Sequence, residues 1–123
     1  TMKVLGEQSD TSFREGDQPN PGDPYSLTKF EAECLLKDIC ESSLMDFTII
    51  RPPLVYGDGV KGNLETLKRV IQKPIPLPLG AIENQRDMVS LHNLSSLIGR
   101  VLTHPSASNN SFLVSDSQAV STA

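Results

Sequence analysis

No apolar run in the sequence approaches the roughly 20 residues needed to cross a bilayer. The first ten residues, TMKVLGEQSD, are polar. Neither a membrane span nor a signal peptide is therefore expected, and a cytoplasmic location fits. Basic runs are absent too: 11 Lys and Arg face 15 Asp and Glu, for a net charge of −4. That balance argues against a nucleic-acid backbone as partner, while one or two well-placed arginines can still bind a small anion. Cysteine is scarce, and Cys34 and Cys40 are the whole supply. They fall six apart in one predicted helix, which turns their side chains about 240° from each other. A disulfide is not expected, nor is a metal site, since His92 and His104 are remote in sequence and ligands are too few.

What is present suits one soluble domain. Hydrophobic residues make up 37% and charged residues 21% of 123 residues, enough for a real core. Residues 1–23 are rich in Gly, Pro, Asp, Ser and Asn and read as a loop. Asp23-Pro24 starts a helix, with Asp as cap and Pro in the first turn. It continues through YSLTKFEAECLLKDICESS, with apolar residues at helical spacing. FTIIR (47–51) reads as a buried parallel strand that stops at Pro52-Pro53. A loop over 54–62 follows, then a helix over 64–72 capped by Asn63, and a proline-dense extended segment over 74–80. The remaining expectations are a strand over 87–91, a helix over 94–103 capped by Asn93, and a short strand over 112–114. Helices and strands alternate, which predicts an α/β fold. No strand–glycine-loop–helix unit of the G-x-x-G-x-x-G kind occurs.

Tyr25 and Lys29 stand four residues apart at the start of the first helix, about 6 Å along its axis and on one face. A phenol is a poor base at neutral pH. A neighbouring ammonium, together with the positive end of the helix, favours its phenolate. A tyrosine so placed can accept the proton of a sugar hydroxyl while hydride leaves the same carbon.

PNPGDPYSLTKFEAECLL, TIIRPPLVYGDGVKGNLETL, PLPLG and NQRDMVSLHNLSSLI together resemble the extended short-chain dehydrogenase/reductase family of NAD-dependent nucleotide-sugar epimerases and dehydratases. The similarity is strongest to its UDP-glucose 4-epimerase-like and UDP-sugar 4-reductase branch and runs over about residues 1–117. It implies the C-terminal portion of a Rossmann-like fold with its small substrate-binding region. Residues 1–57 would then end the dinucleotide-binding domain, and 58–123 would be mostly substrate-binding.

The resemblance also implies roles. Tyr25 is the acid/base, and Lys29 binds the nicotinamide ribose and tunes the tyrosine. Thr1, ahead of the Val4-Leu5-Gly6 match, is the hydroxyl that bonds the reacting sugar oxygen. Pro52 and Pro53 pack near the nicotinamide, or simply end the strand. Asn63 contacts the nucleotide diphosphate, or only caps its helix. Arg86 pairs with that diphosphate through its planar fork, or bridges Glu83 or Asp87 on the surface. Arg51 reads as structural and His92 as a surface or capping residue.

Met2-Lys3 after Thr1, in place of the acidic pair of dehydratases, favours an epimerase or a reductase. The implied activity is hydride transfer at C4 of a UDP-sugar, as in polysaccharide biosynthesis, with NAD or NADP as cofactor and a homodimer left open. Without a glycine-rich turn this chain by itself is expected to bind NAD(P) weakly and to be inactive. A nicotinamide-sensing or interaction module of the same fold is the alternative.

Overall fold

The computed structural model describes residues 1–60, 66, 69–73, 80 and 82–121. A 3-10 turn (Met2–Val4) is followed by α1 (Pro24–Glu41), β1 (Thr48–Arg51) and β2 (Leu54–Tyr56). Then come β3 (Met88–Ser90), α2 (Leu91–Val101), a second 3-10 turn (Pro105–Ala107) and β4 (Asn110–Leu113). Of the helix expected over 64–72, Thr66 and Arg69–Ile71 are helical. Gln72 is in a turn, and Leu64, Glu65, Leu67, Lys68, the cap Asn63 and 74–79 lie outside the described residues.

The strands form two parallel pairs. β1 runs beside β4, with Ile49 opposite Ser111 and Arg51 opposite Leu113. β2 runs beside β3, with Val55 opposite Val89. The expected α/β character is therefore present, with parallel strands joined through helical connections.

α1 begins where the sequence says it should. Asp23 is extended, its carboxylate accepts from the Ser26 amide at 2.7 Å, and Ser26 Oγ accepts from the Asp23 amide at 3.1 Å. Pro24 occupies the first helical position, where no amide partner is needed. A second tie reaches the cap from outside: Lys3 Nζ contacts Asp23 Oδ2 and Glu7 Oε1, each at 2.9 Å.

Three expectations change. Residues 1–23 are not merely a loop: the 3-10 turn buries Val4 and Leu5, and Gly6 follows at φ 128°, a backbone that disfavours any side chain. β1 ends at Arg51, before the double proline, as expected, but the loop expected over 54–62 opens with a strand, Leu54–Tyr56, which is β2 in the other pair. The cap of α2 is Ser90, whose Oγ accepts from the Asn93 amide at 3.2 Å, so the cap lies three residues before the one expected at Asn93. Gly57, at φ 139°, turns the chain after β2 where a Cβ would come 3.2 Å from Leu91 Cβ.

Buried apolar residues come from the N-terminal turn (Val4, Leu5), α1 (Cys40), β1 (Ile49), β3 (Val89) and the second 3-10 turn (Ala107). Cys34 and Cys40 are free thiols. Buried among the core residues is one charged pair. Arg51, 4% exposed, bonds Glu33 of α1 with Nη2 at 2.7 Å and Nε at 3.2 and 3.3 Å. The structural reading of Arg51 thus acquires a partner.

Ile49→Ala is expected to cost about 2–5 kcal/mol and Ile49→Val about 0.5–1.5 kcal/mol, read from urea unfolding. Equal stability of the alanine variant would contradict this account of the core. The Asp23 carboxyl is held at about 2, below its ordinary 3.8, by the Ser26 amide first and by Lys3 second. A lowered carboxyl stabilises the fold above the unfolded value and loses that effect as pH falls through the folded one. The Ser26 amide signal is therefore expected to titrate near pH 2. A midpoint at the ordinary carboxylate value, or a titration that persists in Asp23→Asn, would contradict the cap's role.

Candidate functional site

The capped first turn of α1 sits at the C-terminal end of β1. Lys3 links Asp23 to the N-terminal turn, and the Met2 amide donates to the Pro52 carbonyl at 3.1 Å. Ligand crevices in open parallel sheets lie at this end of the strands. There Tyr25 is 56% exposed, so its phenol faces open space. The Lys29 Nζ lies 5.7 Å from the Tyr25 ring centroid, as the four-residue spacing requires. An ammonium over the ring is attracted by its negative face.

Thr1 belongs to the same neighbourhood. Its Oγ accepts from the Lys3 amide at 3.4 Å, and its α-amino group feels the charges of Glu33, Arg51 and Lys29. Burial is the main reason that this amino group is held below its ordinary value. Thr1, Tyr25, Lys29 and Pro52 are thus gathered at one end of β1, and Pro53 follows, half-buried.

The other candidates stand apart. Arg86 lies on an antiparallel bridge with Val120, their backbones exchanging two bonds of 2.9 Å. Its side chain is exposed, and among the described residues it makes no ion pair, so the salt bridge to Glu83 or Asp87 is not found. Asn63 lies outside the described residues. His92 is an exposed residue of α2. Among the described residues, no group of three or more His, Cys, Asp or Glu could hold a metal ion. No described helix is long and apolar enough to cross a membrane.

A polar cluster that sequence reasoning missed closes the ends of β2 and β3. Asp116 accepts from Tyr56 Oη at 2.7 Å, Asn93 Nδ2 at 2.8 Å and the Ser90 amide at 3.0 Å. Bonds from Asn93 and Tyr56 hold the Asp116 carboxyl below its usual range, and the bond to Asp116 pushes the Tyr56 phenol up. The available signal was position: Asp116 comes just past the C-terminal end of a parallel strand. An open depression of about 500 Å³ lies here, lined by Val89, Asn93, Leu97 and Asp116 among others. Another of about 540 Å³ lies at the far end of α1, against Cys40, Leu44 and Phe47. Neither is lined by Tyr25 or Lys29.

The family model of the NAD dependent epimerase/dehydratase family matches residues 1–114. A UDP-glucose 4-epimerase of Vibrio cholerae is 46% identical over 126 residues, which cover all of this chain and 38% of that protein. The chain thus spans less than half the length of this curated relative. The uncharacterized protein y4nG of Sinorhizobium fredii is 28% identical over 94 residues, or 76% of this chain and 24% of its own length. In structure, the chain is similar to a dTDP-glucose 4,6-dehydratase of Bacillus anthracis solved in complex with NAD. The TM-score is 0.81 at 21% identity, over 98% of this chain and 40% of that one. That likeness is one of fold, and it makes the architecture a portion of a Rossmann-like α/β structure. With its family pattern matched across residues 1–114, the chain belongs to the NAD dependent epimerase/dehydratase family.

Proposed function

We propose that the chain is part of a nucleotide-sugar epimerase or 4-reductase acting at C4 of a UDP-sugar, with Tyr25 as acid/base. The observation that carries this reading is the Lys29 ammonium 5.7 Å from the ring of an exposed tyrosine. The 46% identity to a UDP-glucose 4-epimerase supports the substrate class.

The residues present suit the nicotinamide–ribose end of NAD(P). An ammonium stands near an open phenol on a helix whose cap is tied to the N-terminal turn, and that turn bonds the Pro52 carbonyl. A glycine-rich turn for the pyrophosphate is not part of the 123-residue sequence. When bound, the nicotinamide supplies the acceptor and donor of hydride.

The work of the chain's own residues follows from their chemistry. Tyr25 Oη takes the proton of the sugar C4 hydroxyl and returns it on reversal. The Lys29 ammonium favours the phenolate of Tyr25, the form that can take that proton. Thr1 Oγ bonds the same sugar oxygen. Arg86, whose fork matches phosphate, and Asn63 bind the diphosphate.

In a protein that carries this chain together with a dinucleotide-binding segment, Tyr25→Phe is expected to lower kcat about 10²–10⁴-fold with little change in KM. Conversion of UDP-glucose to UDP-galactose is the assay. Undiminished conversion would contradict Tyr25 as the acid/base, and binding of NAD or UDP-glucose without conversion, before and after the substitution, would instead favour a sensing or interaction module. For the 123-residue chain alone, calorimetric titration with NAD is expected to show no micromolar binding, and micromolar affinity would contradict the proposal.

A further inference from the structure

Glu33 stands one helical turn beyond Lys29, as Lys29 stands one turn beyond Tyr25, so the three follow one strip of α1. At that spacing a carboxylate is a ready partner for the Lys29 ammonium. Yet among the described residues Lys29 makes no ion pair. Its Nζ is instead near the Tyr25 ring. Glu33 is taken up by Arg51, which reaches both of its oxygens, and the two side chains are only 11% and 5% exposed.

We propose that Arg51 is a positioning residue for the Tyr25–Lys29 pair: by occupying both oxygens of Glu33, it keeps that carboxylate from drawing the Lys29 ammonium off the Tyr25 ring. The inference rests on Tyr25 and Lys29 being the working pair. Its chemistry is a competition between two cations for one carboxylate. A planar fork matches a carboxylate's two oxygens, whereas an ammonium is a point charge on a flexible stem, so Arg51 wins while it is present. Without it, an almost buried carboxylate is left without its countercharge, a costly state. Two cations are then near enough to respond: Lys29, one turn away, and the α-amino group of Thr1, on which Glu33, Arg51 and Lys29 all act. If Lys29 responded, its charge would be neutralised and the tyrosine would lose its helper.

The test uses NMR on the 123-residue chain with its N-terminus acetylated, so that Lys29 is the cation left to respond. Lys29 side-chain protons held near the Tyr25 ring carry an upfield ring-current displacement. This displacement is expected in the unsubstituted chain, largely lost in Arg51→Met, and restored in Arg51→Met/Glu33→Gln, where no carboxylate remains to compete. Arg51→Lys keeps a charge but not the fork. It is expected to lose part of the displacement, and it decides the matter should Arg51→Met fail to fold. An undiminished displacement in the single variants overturns the proposal. So does its loss in the double variant, because Arg51 would then only support the helix. Absence of the displacement in the unsubstituted chain would remove the Tyr25–Lys29 pair itself, and the proposed function with it.

Discussion

A guanidinium with 4% exposure needs a carboxylate, and in this chain Glu33 provides it. Burying either charge alone would cost several kcal/mol, so the side of α1 that carries Glu33 is obliged to face the end of β1. Arg51 is the last residue of that strand, and Glu33 lies 18 residues earlier in the chain. Once this contact is made, the roll of α1 is set. Ser26 and Cys40 are buried, while Tyr25 emerges into open space with Lys29 beside it.

The first turn of the helix is fixed by different means. Asp23 caps it, Lys3 holds Asp23, and the Met2 amide reaches the Pro52 carbonyl. Helix start, N-terminal turn and strand end form one connected patch, which is why Thr1 arrives near Lys29 despite the distance between them in sequence. The Asp116 cluster does the corresponding work at β2 and β3, joining Tyr56, Ser90 and Asn93 to the segment after β4.

What could be read from the sequence follows from how local each signal is. Asp23-Pro24 marked the start of α1 because caps and proline act within one turn. The pairing of Tyr25 with Lys29 was legible for the same reason. Residues 1–6 were misread as plain loop because their composition signals turns, and the burial of Val4 and Leu5 depends on elements far along the chain. β2 was missed because its pairing with β3 is long-range and a double proline precedes it. Ser90 and Asn93 are both good caps, and only the observed end of β3 at Ser90 chooses between them. Arg51 was legible as structural, but its partner was not, since nothing in a sequence announces which carboxylate a strand-end arginine will meet.

If the Arg51–Glu33 contact sets the roll of α1, the two side chains must be energetically coupled. A double-mutant cycle with Arg51→Met and Glu33→Gln, read on the free energy of unfolding, measures that coupling directly. The account predicts a coupling of about 1 kcal/mol or more, within the range for residues in contact in one network. Additive effects of the two substitutions would contradict it.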